Sequence, residues 1–380
     1  MKSTSLSLTE SFVKIFLPIF LFSMVLLNSS CSTDNEDTIE VIDNSQISDD
    51  TENNDGTDND VDENPDTSGA IVFEENFVLE DNRRLVNFVL SNNEYNKFLE
   101  GEGDVKMVSQ KVYEHFNDDF DFIFILSVEE QQPDGLYYGR SYKVKNDVQG
   151  LGMSLYEGTP EYGSLGTLKS VIHMPRTEYI VNGPFLHEIA HYWSNHSFIP
   201  TTIGGHWGYS SAGGQLGGFD ELIDLGNNTY QGKLNGKNGF GPNANGGNSV
   251  PYSNIELYAM GLISSGELES IQVAENPERG SAFGQFTADA ITTLTNADLI
   301  TQHGERVPSV QNSQKSFKAL AVIISTTKIG EDQSDTISRH LENFARQGTP
   351  DGYWGNTYNF WMATGERASL DIQVLDEDLK

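Results

Sequence analysis

Cysteine is nearly absent from this chain. Cys31 is the one thiol in 380 residues, so no disulfide can close within the molecule, and the fold must rest on burial and hydrogen bonding. Positive charge is scarce as well: 23 lysines and arginines stand against 56 aspartates and glutamates, for a formal net charge of -33. That balance excludes a protein built to grip nucleic acid, because a phosphate backbone demands a basic surface. An acidic surface suits a soluble protein exposed to bulk solvent. Long apolar runs are missing too. Ile15–Leu27 is the longest, and it falls short of the roughly 20 residues that span a bilayer. No glycine-rich phosphate loop opens a helix, no G-x-S-x-G elbow is present, and no internal repeat recurs.

What is present is concentrated in Phe185-Leu-His-Glu-Ile-Ala-His-Tyr-Trp193. Leu186, Ile189, Ala190 and Trp193 recur at helical spacing, and Asn182-Gly183-Pro184 just upstream reads as a helix start, with Asn182 as the capping residue. On a helix, His187 and His191 lie one turn apart on one face, so both rings can aim a nitrogen at a single ion. Zinc accepts such imidazole pairs without a strict geometric demand of its own. Glu188 enters the same cleft at an angle that suits proton transfer better than ligation. With eight histidines, an H-E-x-x-H arises by chance in about one such chain in a hundred.

In this motif, and in the strand that precedes it, the chain resembles the zincin metallopeptidases. The resemblance implies a zinc ion and hydrolysis of peptide bonds in extracellular proteins or peptides, by a zinc-bound water with Glu188 as general base. A catalytic zinc takes three protein ligands, and the third is open. The metzincin branch carries H-E-x-x-H-x-x-G-x-x-H; here Ser194 stands where that glycine belongs, and His196 falls one residue short. His206, in Gly204-Gly-His-Trp-Gly208, is favoured, because glycines let the backbone turn sharply and return a side chain to the metal. His196 and the carboxylates Asp220, Glu221, Asp224 and Glu256 are the alternatives. Glu256 as a ligand would resemble the gluzincins, and Met260-Gly261 resembles the Met-turn beneath the metal of metzincins. The run from Asp220 to Asp224 reads either as an acidic helix face or as a partner for a ligand's free N–H. Tyr252 or Tyr258 is positioned in the chain to steady an oxyanion, whereas His115 and His173 read as structural.

The N-terminus resembles a bacterial lipoprotein signal: Lys2 and Lys14, the Ile15–Leu27 run, then Ser29-Ser30-Cys31. The resemblance implies a lipidated Cys31 and a protein outside the cytoplasm, at the cell surface or in the periplasm, touching membrane only through its anchor. Residues 32–69 are mostly Asp, Glu, Asn, Thr and Ser with no lysine or arginine, and read as an acidic disordered linker.

The remainder, 70–380, reads as one zincin-like α+β domain, with a mixed sheet, an active-site helix and an irregular Gly/Asn-rich lower part. Ile71–Phe73, Leu85–Leu90, Phe120–Leu126, Ser170–Met174 and Ala319–Ile324 are expected strands, the third buried on both faces. Val105, Val108, Val112 and Phe116 mark a helix. Leu136–Tyr156 suggests a hairpin, with Gln149–Ser154 as the edge that pairs with substrate. Residues 203–250 suggest a cleft wall carrying His206. Ser253 is expected to open the helix of Glu256, and Ser334 to cap another. The protein is expected to act as a monomer on a protein or peptide substrate. Two rival expectations are a non-catalytic surface lipoprotein whose structural metal supports glycan or protein binding, and a zinc hydrolase of non-peptide bonds.

Overall fold

In the computed structural model of the chain, residues 69–193, 196–351 and 357–380 are described, together with the backbone of Ser29–Ser30. The rest of the expected signal segment, Cys31 and nearly all of the linker lie outside the described residues. Among the described residues, no helix is long and apolar enough to cross a membrane.

The architecture is α+β around a mixed sheet. Its centre is Phe122–Ser127 (Phe-Ile-Phe-Ile-Leu-Ser), in which every residue is buried. A strand with apolar groups on both faces needs layers on both sides, and it has them. It runs parallel to Ser170–Met174 on one side and to Ser316–Ser325 on the other. Ser316–Ser325 in turn pairs in parallel with Leu85–Val89. Phe77–Leu79 and Ile71–Glu74 continue antiparallel to one edge. At the opposite edge, Arg140–Lys143 lies antiparallel to Ser170–Met174, with Arg140 beside His173 and Lys143 beside Ser170. The outer side of that edge strand pairs antiparallel with Ser29–Ser30.

The two faces follow the alternation of side chains along each strand. Phe122, Phe124, Ile172 and Met174 pack with Phe185, Leu186 and Ile189 of the motif segment. Ile123, Ile125, Val171 and Val322 pack instead under Val105, Val108 and Val112 of the helix Val105–His115. Each such fully buried side chain contributes about 1.5–3 kcal/mol, so the layer carrying the motif is held to a rigid support.

Several expectations need correction. Leu136–Tyr156 holds more than the expected hairpin: Lys145–Asn146 makes a short antiparallel ladder with Tyr156–Glu157, and Arg140–Lys143 joins the main sheet. Gln149–Ser154 is not a strand. Gln149 exchanges two hydrogen bonds with Val307, and Gly150 and Gly152, both with φ of 82°, turn the chain away. Ser334 lies inside the helix Glu331–Ala345, which starts a turn earlier at Gly330. The Gly/Asn-rich segment is more ordered than its composition suggests. Glu221–Gly226 and Thr229–Leu234 form a hairpin that turns at Asn227 and Asn228, with φ of 52° and 58°. Lys237–Asn238, Gln285–Thr287 and Glu278–Arg279 complete a five-stranded sheet over Phe219, Phe240 and Phe286.

Candidate metal centre

The motif helix is short. Phe185–Ala190 is α-helical, and His191–Trp193 tightens into a 3₁₀ turn. Asn182 does not cap it; that residue ends a preceding helical turn, Tyr179–Asn182, and Pro184 occupies the cap without a side-chain bond. The cap comes from far along the chain. Asn248 Oδ1 accepts the Leu186 N–H at 3.0 Å, and its Nδ2 donates to the carbonyls of Ile180 at 2.9 Å and Val181 at 3.1 Å. The Gly/Asn-rich region thus sets the start of the histidine-bearing helix, satisfying a backbone donor that no neighbour can reach.

His187, His191 and His206 come together, each offering a ring nitrogen within 4.8 Å of the others. His187 Nδ1 lies 2.8 Å from the Gln215 carbonyl, and His206 Nδ1 lies 2.8 Å from the Gly204 carbonyl. A carbonyl only accepts, so both Nδ1 atoms carry the proton and both Nε2 atoms carry the lone pair. His191 Nε2 stands 3.1 Å from His187 Nε2. Two imidazole nitrogens bound to one tetrahedral zinc at ordinary distances stand about 3.4 Å apart, so the pair is set for an ion with little movement. Burial keeps the rings neutral, the ligating form: it holds His187 down to about 3, His191 well below the ordinary value and His206 below it as well. The residues present therefore fit a zinc-type cation.

Glu188 is 1% exposed, and its Oε2 has no hydrogen-bond partner. Burial raises its carboxyl to about 8, against a bond from the Ser141 backbone and the charge of Arg140, which pull it down. Ser141 and Arg140 belong to the edge strand, which passes close by. A methyl group on Gly139 would come within 2.6 Å of Glu188 Cγ, so the absence of a side chain there makes room for the acid. The edge bordering this site is therefore Arg140–Lys143.

The other candidates lie elsewhere. His196 Nε2 contacts Lys143 Nζ and stands outside the cluster. Asp220, Glu221 and Asp224 belong to the hairpin region, not a helix: Asp220 accepts from Asn235 N at 2.7 Å, Glu221 pairs with Lys233 at 3.0 Å, and Asp224 accepts from Gly226 N at 2.7 Å. Glu256 is buried beside the cluster without joining it. Tyr252 donates its hydroxyl proton to the Leu186 carbonyl at 2.9 Å, and Tyr258 accepts from Arg306 N at 3.3 Å. Met260 ends the helix Asn254–Met260 in the core, and Gly261 caps it. A second grouping, Glu74, Glu114 and His115, already holds a cation: Lys111 lies 2.6 Å from Glu74 and 2.8 Å from Glu114.

His187, His191 and His206 are 4%, 2% and 3% exposed, and Ser29–Ser30 lies along the adjacent edge. Comparison with protein-family models, curated proteins and solved structures finds no match for the chain.

Proposed function

We propose that the chain is a zinc-dependent peptidase with a zincin-like arrangement, exported and anchored through Cys31. The observation that carries this reading is an unpartnered Glu188 Oε2 directly after one of three converging imidazoles, beside a sheet edge. Zinc held by His187, His191 and His206 would supply Lewis acidity toward a carbonyl and toward water. Glu188 receives the proton of the attacking water at its unpartnered Oε2 and returns it to the departing amine. The Arg140–Lys143 edge orients the substrate by backbone pairing, as it pairs with the extended Ser29–Ser30. Backbone pairing of that kind favours a peptide over a small ester or sugar.

The test compares wild type with Glu188→Gln on a peptide library, alongside zinc content. Loss of cleavage with zinc retained supports the reading; equal cleavage removes Glu188 from the chemistry. The near-complete burial of the three rings favours a second reading, a structural metal in a non-catalytic surface lipoprotein. That reading expects no cleavage by wild type and a zinc whose removal unfolds the chain.

A further inference from the structure

We propose that Glu256 is a positioning residue for the metal centre, a buried clamp that sets both His187 and His206 without touching either. The proposal rests on the three histidines being metal ligands, and is independent of whether the chain cleaves peptides. Glu256 is 2% exposed and lies in the first turn of the helix Asn254–Met260. Its Oε1 accepts from Trp207 Nε1 at 2.9 Å and from Leu216 N at 2.8 Å. Its Oε2 accepts from Gln215 N at 3.1 Å and from Ser253 N at 2.8 Å. All four partners are donors, so only the carboxylate satisfies them.

Three of those donors belong to the loop that makes the site. Trp207 follows His206 directly, and its fully buried indole fixes the backbone from which that ring projects. Gln215 is the residue whose carbonyl takes the His187 Nδ1 proton. By holding the Gln215 N–H, Glu256 fixes where the chain runs as it presents that carbonyl. Trp207 N in turn donates to the Leu216 carbonyl at 2.8 Å, closing the two ends of the loop on each other. The close approach leaves its mark on the sequence. A methyl group on Gly214 would come within 2.2 Å of Glu256 Oε2, so that position has no room for a side chain. A simple capping role would engage Ser253 alone; here one carboxylate joins the helix start to two points of the ligand loop.

The test measures zinc affinity by chelator competition on the full chain, with the unfolding temperature of the metal-free form measured separately. Glu256→Gln keeps the size but turns an amide NH₂ toward backbone donors, and is expected to weaken zinc about 10-fold, the low end of the cost of losing a direct outer partner of a ligand, because Glu256 acts one bond further out. The absorption bands of the cobalt-substituted protein are expected to shift as well. Trp207→Phe, which removes one donor and keeps an aromatic ring, gives a smaller loss and serves if the first variant does not fold. Tyr258→Phe, on the same helix but bonded to Arg306 rather than to the loop, is the control for general destabilisation and should leave affinity unchanged. Affinity of Glu256→Gln within twofold of wild type, or an equal loss in Tyr258→Phe, overturns the clamp while leaving the histidine site standing. If Glu256→Gln does not fold, unchanged affinity in Trp207→Phe does the same. A wild type that takes up no zinc overturns the metal reading, and the clamp with it.

Discussion

Replacing His206 with alanine is the sharpest way to probe the ligand set, because the neighbouring His196 supplies a matched control. His206 offers a nitrogen within 4.8 Å of those of His187 and His191, and its tautomer is fixed by the Gly204 carbonyl. His196 lies against Lys143 instead. Binding of zinc to a four-ligand structural site is worth about 10–16 kcal/mol at neutral pH, so one ligand of the four carries about 2.5–4 kcal/mol. His206→Ala should therefore weaken zinc by about 10²–10³-fold, and His196→Ala should leave affinity within a few-fold of wild type. Titration against a chromophoric chelator of known affinity reads both directly, and metal content after dialysis gives an independent check. Folding of the variants is followed by circular dichroism, since His206 sits in a loop that other bonds also hold. The reasoning fails if His206→Ala retains wild-type affinity, or if His196→Ala loses as much as His206→Ala.

Two further predictions reach beyond the site. His173 is fully buried between Ser127 Oγ and the Tyr137 hydroxyl, and burial holds it down to about 3. Its folded value is depressed, so the stability it confers is full above the ordinary value near 6.5 and is lost as pH falls from there toward 3. The slope is about 1.4 kcal/mol per pH unit. Urea titrations across that window should show a slope shallower by about that amount in His173→Gln, and identical slopes would remove His173 from the acid response. At the other end of the chain, Cys31→Ala should abolish incorporation of labelled fatty acid and release the protein from the membrane fraction; unchanged labelling would refute lipidation at this residue.

How much of the molecule was readable depends on where each signal resides. Phe122–Ser127 and Ser170–Met174 are legible because a strand between two layers is largely apolar on both faces. His187 and His191 are legible because helical spacing alone puts them together, and the glycines around His206 hinted at its return. Arg140–Lys143 escaped notice for a physical reason. An edge strand carries charge and polarity where a central one carries apolar groups, so Arg-Ser-Tyr-Lys has no strand signature. The hairpin at Asn227-Asn228 hid because the same glycines and asparagines that make tight turns also mark irregular loops, and its partner Gln285–Thr287 is distant in sequence. Glu256 was visible only as a carboxylate near a candidate site. Its four donors come from three separate stretches of chain, and no local pattern distinguishes an acid that binds a metal from one that steadies the residues around it. Asn248, which caps the histidine helix from afar, left no motif at all.

The partners of the two fixed rings carry one last implication. Many metal-bound imidazoles lean on an acidic side chain, which draws the ring proton toward itself and enriches the opposite nitrogen in electrons. His187 and His206 lean on peptide oxygens, which are neutral and pull more gently. A cation seated there would be quenched less by its ligands, trading tenacity of grip for electrophilic strength, and would surrender more readily to competing chelators than one in an acid-backed cage.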